Sequence, residues 1–169
     1  MNIIDPIIME VQHEVGITRP MLEIVPEDRF GWKPHEKSMP MGALASHLVD
    51  IMGWTMPVLE QDELVMNPGE FESFDAKNRA ELLAAWDEKS KTALAAMQGR
   101  SNESLFKTWR MKMGDQTVIE MPRLAVLRGF IISHLIHHRG QLSVYLRMND
   151  VSLPQIYGPT ADNKDMAPV

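Results

Sequence analysis

Ile131-Ile132-Ser133-His134-Leu135-Ile136-His137-His138-Arg139-Gly140-Gln141-Leu142 sets three of the six histidines within five positions of a strongly apolar run. Residues four apart lie one turn above each other on an α-helix, so His134 and His138 can aim both imidazoles at one point. That pair is half of a metal site. An ion of the zinc class takes three protein ligands and keeps an open position when it is catalytic, so a third ligand must come from another segment. The run also decides the fold. Leu124, Leu127, Ile131, His134, His138, Gln141 or Leu142, and Tyr145 follow the helical period, predicting one long helix from about Pro122 to Met148.

Three more segments carry the same period. Ile4, Ile7, Ile8, Val11 and Val15 predict a first helix from near Asn2, kinked or ended at Pro20, where the amide donor is missing. Residues 26–40 read as a loop pinned by Phe30 and Trp32. The second helix is expected to start between Ser38 and Met41, with Ser38 as cap and Pro40 in the first turn. Leu44, His47, Ile51, Trp54 and Val58 are spaced 3, 4, 3 and 4, which puts His47 inside its apolar stripe. A polar ring there needs a partner, either a core hydrogen bond or an ion. Asn67-Pro68-Gly69 marks a turn before a polar linker, and a third helix is expected over Asp75 to Gln98, stopped by Gly99. From Ser101 to Met121 the period breaks, and alternation around Gly114-Asp115 leaves room for a short β-hairpin between the third and fourth helices. The segment Pro154 to Pro159 is expected to lie as an ordered loop on the bundle. The reading is an all-α four-helix bundle forming one domain over residues 1–169.

Composition narrows the function. Cysteine is absent, which removes disulfides, zinc-thiolate sites and a cysteine nucleophile. A net charge of -6 argues against a phosphate-tracking surface, so no nucleic-acid partner is expected. No basic segment precedes the first apolar residues, and no uncharged apolar run approaches the roughly 20 residues that span a bilayer. A cytoplasmic protein without membrane contact is expected. A di-iron bundle would need two Glu-x-x-His motifs, but only Glu10 to His13 fits, with Ile131 standing three residues before His134. The reading that uses the inward-facing histidines is a mononuclear site of His47, His134 and His138, which leaves His13 and His35 at the surface. His137, three residues from His134, is the weaker alternative ligand.

Ser46-His47-Leu48 after a Trp32-Lys33-Pro34 loop, the His134 to Leu142 run, and Pro154-Gln155-Ile156-Tyr157-Gly158-Pro159 together resemble the DinB/YfiT-like family of metal-dependent enzymes. The resemblance spans nearly the whole chain. It implies a four-helix bundle of up-down-down-up topology, with the long link between the second and third helices as a crossover. It also implies one histidine of the second helix and two of the fourth on a divalent metal: nickel, zinc or iron. Carried over, those are His47, His134 and His138. Family enzymes include transferases that use small thiols such as bacillithiol, mycothiol or glutathione.

Around the ligands, Gln141 can bond a ligand or substrate, Arg139 can pair with a carboxylate or partner helix, and Asp50 can fix the His47 ring. Tyr145 and Tyr157 are expected at the mouth of the site. Arg139, Gln141 and Tyr145 are thus the candidates for catalytic work. The 14 methionines read mostly as core filler, with a plastic pocket or dimer face as the alternative, and with the resemblance they suggest a homodimer. The functional expectation is a metal-dependent enzyme acting on a small-molecule substrate, a thiol-dependent S-transferase first. A metal-dependent hydrolase, or a non-catalytic metal-binding bundle of a stress response, is the alternative.

Overall fold

The computed structural model describes residues 2–67, 69 and 72–164. The predicted helices are present as α1 (Ile4–Glu23), α2 (Met41–Gly53) with its continuation α3 (Thr55–Glu60), α4 (Arg79–Met97), and the fourth helix as α6 (Arg123–Val126), a π-helical segment Leu127–Ile132, and α7 (Ser133–Met148). A short α5 (Asn102–Phe106) precedes the strands. α1 and α2 each pack on both α4 and α7, so α1 lies diagonal to α2 across the bundle. The link from second to third helix therefore joins neighbours, while the link from first to second crosses the bundle. No described helix is long and apolar enough to cross a membrane.

Several boundaries differ from the expectation for identifiable reasons. α1 continues through Pro20 instead of ending there, with Met21 and Leu22 fully buried beyond it; a proline removes one helical bond, and burial of these side chains offsets that loss. Ser38 does not cap α2. The amides of Met41 and Gly42 instead donate to the carbonyls of Trp32 (2.8 Å) and Phe30 (2.9 Å). The Phe30 ring lies against Gly42 so closely that a Cβ there would sit 2.8 Å from Cδ2. α4 starts at Arg79 instead of Asp75 because Asn78 is the cap: its side chain accepts from the Glu81 amide at 2.9 Å. Gly99 ends this helix as expected, in the left-handed region at φ 69°.

The all-α expectation is corrected by a three-stranded sheet. β2 (Thr108–Met113) and β3 (Gln116–Pro122) form the expected antiparallel hairpin, with Gly114-Asp115 as the turn and Gly114 at φ 57°. β1 (Glu63–Met66), just before the expected turn in a stretch given no element from sequence, pairs in parallel with β2 in the register Glu63 to Arg110 and Met66 to Met113. Four residues are too few to show a period, and a parallel partner about 45 positions away leaves no local turn signal. Of the turn expected after the second helix, Gly69 lies at φ 86° and Pro68 is outside the described residues. The sheet packs on α3 and α6, where buried Trp109 donates its indole N–H to the Pro57 carbonyl at 3.0 Å.

Candidate metal centre

His47 projects from the middle of α2, and His134 and His138 from the first two turns of α7. Their Nε2 atoms converge: His134 lies 3.4 Å from His47 and 2.9 Å from His138. All three rings are partly buried. Beneath them Trp54 stacks on Phe130, with centroids 5.1 Å apart, and meets His47 edge-on. The π-helical segment sets this arrangement up, because its extra residue in the turn rotates α7 relative to α6. Ser133 then returns both its amide and its hydroxyl to the Arg128 carbonyl.

Burial, reinforced by the neighbouring His138 and His134 rings, pushes His47 down to about 4. Burial also holds His134 and His138 below the usual imidazole range; the Phe130 carbonyl opposes this at His134, and Gln141 opposes it at His138. All three rings are therefore neutral near pH 7, the state in which an imidazole ligates. Gln141 lies one turn beyond His138, with its Oε1 2.6 Å from Nδ1. Nδ1 of His134 is buried and short of a well-formed hydrogen bond, although the Phe130 carbonyl acts on the ring.

This donor set fits a metal ion. One N–H on His134 Nε2 can satisfy His138 or His47 but not both, whereas a cation can receive all three lone pairs. Ligand nitrogens around a tetrahedral ion with ordinary zinc–imidazole bonds stand about 3.3 Å apart, close to the 2.9 and 3.4 Å seen here. Among the described residues the histidine, aspartate and glutamate side chains offer a three-membered group only, His47, His134 and His138. A three-ligand set leaves a coordination position open.

The lowered values carry a sign. A histidine whose folded value lies below the unfolded one of about 6.5 makes the unfolded chain bind the proton first. Its contribution is complete above 6.5 and is lost as pH falls toward 4. Metal-free protein is expected to lose melting temperature across that window, and His47→Gln to flatten the loss. Parallel pH profiles for the two would contradict the assignment.

The other residues singled out from sequence divide. His13 and His35 are exposed, as expected. His137 is exposed, 4.8 Å from the His138 ring between centroids, and outside the converging set. Asp50 does not hold the His47 ring: both its oxygens accept from the Phe74 amide at 3.2 Å, and burial raises its pKa. Tyr145 lies two turns beyond His138 and meets Trp32 edge-on at 5.6 Å. Arg139, named both as a catalytic candidate and as a partner for a carboxylate or another helix, takes the second role. It turns away from the histidines and is 1% exposed, with Nη1 2.6 Å from Glu14 Oε2 and 3.0 Å from Thr18 Oγ1. Tyr157 belongs to the same network, its hydroxyl 2.5 Å from Arg139 Nη2 and 2.9 Å from both Glu14 oxygens, so it ties the C-terminal loop to α1 and not to the site. Sequence reasoning missed Trp54 and Phe130 as the floor of the site, although Trp54 falls seven residues after His47, on the same stripe.

A model of the DinB family matches residues 5–166. The uncharacterized protein YrdA of Bacillus subtilis is 21% identical over 160 residues, 94% of this chain and 90% of that one. Among solved structures, the DinB-like protein YjoA of Bacillus subtilis superposes with a TM-score of 0.67 at 19% identity, covering 95% of this chain and all of that one. YfiT of Bacillus subtilis, described as a probable metal-dependent hydrolase with an unusual four-helix bundle topology, gives 0.65 at 13% identity, covering 88% and 89%. These likenesses establish the four-helix bundle fold.

Proposed function

The chain belongs to the DinB family, and on that premise we propose that it is a divalent-metal-dependent enzyme with His47, His134 and His138 as protein ligands. The observation that carries the proposal is the convergence of three neutral Nε2 atoms from two helices. Imidazole donors suit zinc, nickel and iron alike. Such an ion, when bound, lowers the pKa of a coordinated water or thiol and so supplies a nucleophile near neutral pH. The chain's own residues do the rest. Three uncharged rings leave the ion's charge undiminished, and Trp54 with Phe130 keeps water from one side and offers an apolar wall to a small-molecule substrate. Exposed His137 stands at the rim, where an imidazole can take or return a proton.

Hydrolysis is the reaction we place first, because it needs only water as second reactant and because YfiT, which shares the fold, carries that description. Thiol transfer is the second reading, favoured by a chain with no cysteine of its own, so that a low-molecular-weight thiol would have to be a substrate. The test is a panel of aryl esters, amides and alkylating electrophiles, assayed on metal-loaded protein with and without thiol. Ester or amide turnover that ignores thiol and disappears in His138→Ala is the expected result. Turnover that requires thiol would replace hydrolysis with transfer, and silence throughout would leave a metal-binding bundle without catalysis.

We also infer that the helices run up-down-down-up. Glu10 meets Arg128 and Thr18 meets Arg139, which supports parallel first and fourth helices. Arg19 meets Asp87 while Ile3 meets Asn102, which supports an antiparallel α1 and α4. Ser46 beside Ala76, Gly53 beside Lys89 and Leu59 beside Arg100 support α2 running along α4.

A further inference from the structure

We infer that Gln141 is a positioning residue of the three-histidine site: its side-chain carbonyl fixes His138 in the tautomer that turns an unprotonated Nε2 toward His134 and His47. The inference rests on the metal-site reading above and concerns what holds a ligand in place. A neutral imidazole has one N–H, and a carbonyl oxygen only accepts. With Oε1 2.6 Å from Nδ1, the contact is a hydrogen bond only when the proton is on Nδ1, which leaves the lone pair on Nε2, 2.9 Å from His134 Nε2. The opposite amide orientation would donate to Nδ1 and push the ring proton onto Nε2, into the space the three rings share.

Gln141 follows His138 by three positions on α7, the helical spacing that makes the two side chains neighbours. Gln141 is exposed, so no core packing sets its position. Its neighbours in the run are engaged elsewhere, Arg139 with Glu14 and Tyr145 with Trp32. His134 has no equivalent side-chain acceptor, since its Nδ1 faces only the Phe130 carbonyl. The two α7 histidines are therefore oriented by different means: His134 by its burial against Trp54 and Phe130, His138 by a hydrogen bond at the surface. An acceptor on the far nitrogen also raises the basicity of the ligating one. Removing it should weaken metal binding without disturbing the fold.

The experiment uses Gln141→Met, which keeps length but loses the acceptor, and Gln141→Glu, which keeps it. Nitrogen-15 NMR of the histidine rings in metal-free protein at pH 7.5 reads the His138 tautomer directly. Wild type and Gln141→Glu are expected to carry the proton on Nδ1, and Gln141→Met to shift it toward Nε2. Calorimetric titration with Ni²⁺ should show Gln141→Met about 10–100-fold weaker than wild type, with Gln141→Glu restoring or exceeding wild-type affinity. A wild-type His138 protonated on Nε2, or a Gln141→Met protein with wild-type tautomer and affinity, overturns the proposal. Failure of the metal reading looks different: wild-type protein would take up no Ni²⁺, and the tautomer arm in metal-free protein would still decide the role of Gln141.

Discussion

Replacing His47, His134 or His138 singly with alanine is expected to weaken divalent-ion binding more than 100-fold, whereas His13→Ala and His35→Ala leave it unchanged. Losing only the outer hydrogen-bond partner of a ligand costs about 10–100-fold, and losing the ligand itself removes a direct bond as well. His13 and His35 are exposed and outside the converging set, so they are the internal controls. The same variants should separate in thermal stability. An ion present at about 100 times its dissociation constant stabilises the native state by roughly 2.7 kcal/mol, which for a chain of this size corresponds to a rise on the order of 5–10 °C. Scanning calorimetry with and without Zn²⁺ should show that rise in wild type and in the two controls, and lose it in each ligand variant. A His134→Ala protein with wild-type affinity would remove that residue from the set.

The second large effect lies on the other side of the same helix. Glu14→Ala is expected to cost about 3–5 kcal/mol of folding stability, because it leaves a buried guanidinium without its countercharge. Arg139 is 1% exposed and Glu14 5%, so water cannot replace the lost partner. The Thr18 and Tyr157 hydroxyls remain in reach, but neither carries charge. Changing both partners to apolar residues, Glu14→Leu with Arg139→Met, should recover much of the loss, since replacing a buried pair together is often neutral. Urea unfolding of the three proteins measures both steps. A Glu14→Ala protein within 1 kcal/mol of wild type would mean that the pair is not isolated from solvent.

The helical periods of the four long segments were legible in the sequence, and so was the histidine set, because a four-residue spacing and an apolar stripe are local facts. The inward orientation of Arg139 was legible too, and it pairs with a carboxylate of another helix, one of the roles its place in the run allows. Leu135, Arg139, Leu142 and Leu146 are spaced 4, 3 and 4, and all are buried. Its partner lies on the matching stripe of α1, where Ile7, Val11, Glu14 and Thr18 are spaced 4, 3 and 4. Treating residues 122–148 as one straight α-helix hid this, since the π-helical turn at Leu127–Ile132 shifts the inward face between the two halves. Its trace in the sequence is faint: buried Leu127 is followed by buried Ile131 and Ile132, a step of four to five. β1 was not legible, because four residues paired in parallel with a distant strand leave no local signature.

Metal content of the purified protein tests the central claim most directly. Elemental analysis by plasma mass spectrometry is expected to find about one equivalent of nickel, zinc or iron per chain in wild type, and almost none in the folded His47→Ala/His134→Ala/His138→Ala variant. Equal metal content in the two proteins would contradict the three-histidine site and the function built on it.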